Sequence, residues 1–383
     1  MYVVRNVLIG LITGIIVGII IGGTAIKPDD QVKNINTRPT NVTAQQHDNL
    51  LANKSPLPDP ANPPITTWRM ANAFSKNDAF PATLAKRLSD KSLPNSHGTL
   101  NIELTGPGEL IPPQETFNAV RAGAIDAAFF SPGLRADKNP GLELFSSIPF
   151  GPTAAEFMTW FYAAGGRDFY DKLTADQGVY SLVCGLNAPR SSGRFKSQIE
   201  TANDFKNMDI SVQGFGARVL SQLGANVTDI PYANVYPALN KNIIAGIVPR
   251  NFTLPTSSPI NTVAPYYYVP AWQQPVQLYE LLINLDQWKS LSPLNQRQIN
   301  TICGDNVRFS LAQIQLTGFV DLKNLVEQGT IIKRLPKNVL TSLNKAWLQV
   351  VTSEKNKTFK DVIKSLQIFR EDYSIWQEIG ALQ

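Results

Sequence analysis

Thr67-Trp68-Arg69-Met70-Ala71 reads as a short β-strand, with a polar turn after it. Beyond it the spacing predicts a helix over 79–88 and a second alternating strand over Thr99 to Leu104. A turn at Gly106-Pro107-Gly108-Glu109-Leu110 comes next. A helix opening on Pro covers 113–122, and Ile125 to Phe129 reads as a third strand. Strands separated by helices in this order predict an α/β domain on a mostly parallel sheet, because parallel neighbours need a crossover long enough to hold a helix. Such sheets bind ligands beyond the carboxyl ends of their strands, where the strand order reverses.

A second pattern of the same kind starts near Gly178. Val179 to Cys184 and Ile210 to Gln213 read as strands, and Ala217 to Leu223 and Tyr236 to Ile243 as helices. The apolar run Leu278 to Leu285 is expected to cross back to the first lobe, and residues 338–380 are helical in pattern. The expected organisation is lobe I over 65–184, lobe II over 185–277, a crossing strand with return helices over 278–337, and C-terminal helices over 338–383. Two lobes joined by more than one crossing segment describe a hinged binding protein.

Ahead of the lobes, residues 6–26 carry no charge and are rich in Ile, Val, Leu and Gly. At about 1.5 Å per residue they form one bilayer-spanning helix. Arg5 before them and Asp29-Asp30 after them put the N-terminus in the cytoplasm and the lobes outside. Segment 1–26 is thus an anchor or a long signal, with Gly23-Thr24-Ala25 as a site at which it could be cleaved. Gly10, Gly14, Gly18 and Gly22 form a smooth stripe suited to packing against another membrane helix. Residues 27–64, rich in Pro, Asn, Asp, Thr and Gln, read as a flexible tether.

Composition narrows the chemistry. The chain has 383 residues and a net charge of +5, which favours anionic partners. No dense basic block with interleaved aromatics suggests a nucleic acid. His47 and His97 are the only histidines and both read as loop residues, so neither a Ser-His-Asp triad nor a His-rich metal centre is at hand. Cys184 and Cys303 fit either one disulfide or two buried thiols, with the thiols the preferred reading. Gly214-Phe215-Gly216 follows a strand and precedes a helix. The third glycine of a dinucleotide fingerprint is absent, its place taken by Val219, so the segment reads as a tight turn whose helix N-terminus attracts anions.

A set of short segments in fixed order then becomes informative: Trp68-Arg69-Met70-Ala71, Gly106 to Leu110, Ala119-Val120-Arg121-Ala122-Gly123 and Ile148-Pro149-Phe150-Gly151. They continue in Trp160 to Gly166, Val235-Tyr236-Pro237-Ala238-Leu239, Ala264-Pro265-Tyr266-Tyr267-Tyr268 and Phe369-Arg370-Glu371-Asp372-Tyr373. In these the chain resembles the substrate-binding subunit of TRAP transporters, the DctP type. The Tyr-rich segment with Pro270 and Trp272 resembles the branch that binds 2-oxoacids. The resemblance implies a two-lobed periplasmic-binding-protein type II-like fold with a long helix spanning both lobes. It also implies delivery of a small organic anion to a two-subunit permease driven by an ion gradient, and it leaves a homodimer open.

The implied site departs from that family in this chain. Its hallmark Arg, the carboxylate clamp, matches Ser211. The three positions that hold a metal in the oxoacid branch match Arg190, Val248 and Gln274. Two anionic ligands are lost and a cation is gained, so no metal and no other cofactor is expected, and Arg190 is expected to carry the positive charge. The expected ligand-binding residues are Arg190, Ser211, Arg250, Tyr267, Trp272 and Gln274. The expected function is non-enzymatic capture of a carboxylate outside the cytoplasm. The alternative is an anchored binding module acting as sensor or scaffold, and no nucleophile–base pair supports an enzyme.

Overall fold

The computed structural model describes residues 65–74, 78–135, 139–187, 191–248 and 259–380. The anchor at 1–26, the tether at 27–64, Arg190 and Arg250 lie outside the described residues. Among the described residues no helix is long and apolar enough to cross a membrane.

The first sheet has the order β2-β1-β3-β10-β4. Its strands are β1 (Thr66–Asn72), β2 (Leu100–Thr105), β3 (Ala127–Phe130), β4 (Val179–Asn187) and β10 (Gln277–Asn284). Side chains alternate between buried and exposed over the first part of β1. Trp68 and Met70 are buried opposite Ile102 and Leu104, while Thr67 and Arg69 are exposed. The second sheet has the order β11-β9-β5-β8-β6-β7. It is built from β5 (Gly193–Phe195), β6 (Asp209–Ser211), β7 (Asn226–Thr228), β8 (Gly246–Ile247), β9 (Tyr266–Tyr268) and β11 (Ile331–Lys333).

Both sheets are mixed, where mostly parallel ones were expected. β10 runs antiparallel to β3 and to β4, and β5 runs antiparallel to β8 and to β9. The reason lies in chain path. β4 ends the first sheet's run and the chain next forms β5 in the second; β9 precedes β10, which returns to the first. A strand that enters a sheet by crossing from the other lobe, instead of through a helical crossover, runs against its neighbours.

Helix boundaries shift in instructive ways. The Pro-led segment begins as a 3-10 turn at Pro113–Glu115 before the α-helix Thr116–Arg121. A single 35-residue helix, Pro293–Glu327, fills most of the expected return region and is about 52 Å long. The C-terminal part folds as Lys337–Ser353 and Lys357–Gly380.

One apolar core joins the parts. It runs from Phe145, Trp160 and Phe161 through Phe215, Tyr268 and Trp272 to Trp347 and Phe359 on the C-terminal helices. Arg370 on the last helix fixes the Ile148-to-Gly151 turn. Its Nε donates to Glu156, 2.8 Å away, and its Nη1 to the Phe150 carbonyl at 2.9 Å. Glu156 also completes the capping box that starts the helix Ala154–Ala163. The cysteines are corrected here: Cys184 on β4 and Cys303 on the long helix form a disulfide inside the core between the first sheet and its helices. Burial of each thiol, the basis of the preferred reading, was right; their juxtaposition across 119 positions could not be seen from either one alone.

Candidate ligand-binding cavity

A cavity of about 540 Å³, solvent at its mouth included, opens where strands of both sheets end. Phe74 lies just beyond β1, Ser131 beyond β3, Val212 beyond β6 and Val248 beyond β8, so the carboxyl ends of four strands face it. This is the position that α/β sheets reserve for ligands. Because β10 is antiparallel, its amino end arrives at the same place and brings Gln277.

The wall mixes apolar residues such as Phe74, Leu134, Val212 and Val248 with polar ones and is nearly neutral. Gln213, Gln273, Gln274 and Gln277 line it with Ser131, Ser146 and Ser147. Glu143 is the one carboxylate among the lining residues, and none of them is Lys or Arg. Glu143 Oε1 accepts from the backbone N–H of Phe215 at 2.8 Å, in the first turn of the helix Gly214–Gln222. A lobe I carboxylate therefore sits on a lobe II helix N-terminus, where the helix dipole favours it. Gly216 brings that helix against Gln273: a Cβ there would stand 3.6 Å from the Gln273 Cβ and 3.1 Å from Val212.

Adjacent residues bond to opposite lobes. Gln273 Nε2 donates to the Ser191 carbonyl at 2.8 Å, and Gln274 Nε2 to the Ser146 carbonyl at 2.7 Å. Ser147 Oγ donates to the Gln273 carbonyl, and Phe150 N–H to the Trp272 carbonyl at 2.7 Å. The segment 272–277 is thus stitched into both halves before it enters β10.

Of the residues expected in the site, Gln274 lines the cavity, as does Val248, which the resemblance matches to a metal position. Ser211, Tyr267 and Trp272 are not among its lining residues. Ser211 precedes Val212 on an extended chain, and successive side chains point to opposite faces. Its Oγ accepts from Ile230 N–H at 3.2 Å. Tyr267 pairs in register with Arg194, whose guanidinium carbon lies 5.2 Å from the Tyr267 ring centroid. Burial pushes the Arg194 guanidinium below its ordinary pKa. Trp272 stacks on Phe150 with ring centroids 5.8 Å apart. Arg135, just beyond β3, is not among the lining residues and forms a buried ion pair with Glu280, 3.0 Å away.

Sequence reasoning overlooked Gln273, Gln277, Ser131, Ser146 and Glu143. A usable signal did exist in Trp272-Gln273-Gln274-Pro275-Val276-Gln277, where amides stand in an otherwise apolar approach to a buried strand. Buried polar groups require partners, and several of them together mark a site.

Among the described residues the donor set does not fit a divalent ion. Such an ion takes about six to eight oxygens with carboxylates among them. The described wall offers neutral oxygens and one carboxylate already engaged, and among the described residues no three His, Cys, Asp or Glu side chains cluster.

Residues 72–357 match the family model of bacterial extracellular solute-binding protein, family 7, the DctP domain. The monocarboxylate 2-oxoacid-binding periplasmic protein of Nostoc sp. is 26% identical over 83% of this chain and 88% of its own length. Among solved structures, a TRAP transporter solute-binding protein from Bordetella bronchiseptica, crystallised with calcium and picolinate, is 27% identical. The match covers 83% of this chain and 95% of that one, with a TM-score of 0.75. A TRAP periplasmic solute-binding protein from Pseudoalteromonas atlantica with bound sodium and pyruvate shares the fold at 24% identity and TM-score 0.74, over 82% of this chain and 96% of that one. The chain belongs to family 7 of the bacterial extracellular solute-binding proteins, a family of receptors and not of enzymes.

Proposed function

We propose that this protein captures a small carboxylate of the 2-oxoacid class or a close relative outside the cytoplasm and hands it to a TRAP-type permease. The observation that carries this reading is a cavity at the carboxyl ends of four strands from both sheets, with amides and hydroxyls set among apolar residues in its wall. Support comes from the Nostoc relative, whose name gives a 2-oxoacid, and from the solved relatives that hold picolinate or pyruvate. The sensor or scaffold alternative finds no support in these relatives.

Arg190, with Arg250 beside it in the proposal, supplies the positive charge. A carboxylate leaving water needs a compensating charge, and the described wall holds none. Gln274 contacts the solute, and Ser211, Tyr267 and Trp272 hold the wall from behind. No metal takes part. Isothermal titration with a panel of small organic acids tests this: one or more bind, EDTA changes nothing, and Arg190→Gln weakens binding by about 2–5 kcal/mol. Loss of binding in EDTA with an unaffected Arg190→Gln variant refutes the assignment. Residues 6–26 anchor the receptor to the inner membrane, and the 27–64 tether lets it reach the permease. Protease added to spheroplasts then removes the folded part; intact protein in the cytosol refutes the anchor.

A further inference from the structure

Apolar residues from both lobes meet in the cavity wall, and they describe the body of the solute. β6 and β8 pair Ile210 with Gly246 and Ser211 with Ile247, so Val212 and Val248 follow side by side, with Val248 N–H donating to the Ser211 carbonyl at 2.9 Å. Ile247 turns to the other face of the sheet, into a separate apolar cluster with Val235 and Leu239, which leaves Val212 and Val248 on the face of the main core. Both valines line the cavity. From the first lobe comes Phe74, its ring held edge-on to Tyr279 and Phe129 with centroids 5.2 and 6.2 Å away. Leu134, in the turn beyond β3, is 41% exposed and adds a fourth apolar residue. Apolar atoms make up the larger part of the cavity's surface. Among the described lining residues none is Lys or Arg, and Glu143 is the one acid.

For a carboxylate solute this surface acts on the carbons. Each methylene that leaves water against it raises affinity by about fourfold. A second carboxylate gains nothing there: it meets apolar surface, no described cation and the like charge of Glu143, and an ion taken out of water without a partner is held weakly. Val248 stands where the resemblance places a metal ligand, so a position suited to an ion presents hydrocarbon instead. We infer that the solute is a carboxylate with an apolar tail, aliphatic or aryl, and that Val212, Val248 and Phe74 set specificity by gripping that tail. This rests on the carboxylate reading above and adds what the rest of the solute must be. Three-carbon acids and acids with a second carboxylate are then poor ligands.

The test titrates the full chain by calorimetry with straight and branched monocarboxylic and 2-oxo acids of three to six carbons, one aryl member, and diacids of matching length. Affinity rises about fourfold for each added methylene. Each diacid binds about tenfold or more weakly than the monoacid of its length. Val248→Thr and Val212→Thr keep the shape of the wall, add a hydroxyl and flatten the rise with length. Affinity that stays level or falls with length, or diacids as tight as their monoacids, overturns the inference and leaves the carboxylate reading standing. A rise as steep in both variants as in the wild type overturns the assignment to these residues. Failure of every acid to bind overturns both readings together. The wild-type series decides the matter even where a variant does not fold.

Discussion

Glu280→Gln tests the buried ion pair at the centre of the first sheet. Glu280 sits in the middle of β10, where all eight residues are buried, and it is 0% exposed. Its carboxylate accepts from Arg135 Nη2 at 3.0 and 3.3 Å and from the hydroxyls of Tyr170 and Ser181. Arg135 is 1% exposed; its Nη1 donates to Gln177 and its Nε has no partner, so Glu280 is its charge compensation. Burial, with the Glu280 charge beside it, pushes the Tyr170 hydroxyl far above its ordinary pKa and keeps it a donor. An amide in place of the carboxylate retains the shape, strands a guanidinium that cannot deprotonate, and turns an N–H₂ toward groups that donate. Breaking such a pair costs about 3–5 kcal/mol, a large part of the roughly 5–15 kcal/mol that holds a domain. Urea unfolding followed by near-ultraviolet circular dichroism measures it. The paired change Arg135→Met with Glu280→Leu removes both charges and recovers at least half of the loss. A loss under about 1 kcal/mol for Glu280→Gln, or a double variant as poor as the sum of the singles, refutes the account.

Three further outcomes are expected. Replacing Cys184 and Cys303 by Ala opens a loop of 119 positions and lowers stability by about 2–5 kcal/mol, read as the difference between wild type and variant without reductant, a difference that vanishes once the wild type is reduced. Lys91 and then Arg308 hold the Asp305 carboxyl down at about 2; this depressed pKa stabilises the fold above the unfolded value near 4 and the gain is lost as pH falls toward 2. The gap in urea midpoint between wild type and Asp305→Asn therefore closes between pH 4 and 2. Gly246→Ala drives a methyl into the buried Phe195 ring and costs about 1–3 kcal/mol by thermal unfolding, while an unchanged midpoint shows that β5 and β8 can part freely.

Much of the fold was legible because it is encoded locally. The strand at Thr67 to Ala71 and the helix behind it need no distant partner to be recognised. The run Leu278 to Leu285 reads as apolar and as crossing back, and β10 sits between β3 and β4. Its charged member, Glu280, was invisible as a structural element because its partner is 145 positions away and lies in a segment that reads as a loop. The disulfide and the contact of Glu143 with Phe215 were hidden for the same reason. The site was legible only in place. Carboxyl strand ends were anticipated, but which side chains face the cavity depends on strand phase, and one residue separates Val212 in the wall from Ser211 behind it.

The segment that lines the cavity also joins the lobes, and this follows from two consecutive residues. Gln273 bonds to Ser191, at the entrance to the second sheet, while Gln274 bonds to Ser146, beyond the first. Gln277, four positions on, is tied through Ser131 to the end of β3. A solute seated against this segment meets residues tied to both sheets, so any movement of one half against the other reshapes the wall itself. A ligand shifts such an equilibrium only by its differential affinity for the two states, which makes the 272–277 segment the place where solute contact and lobe position are coupled.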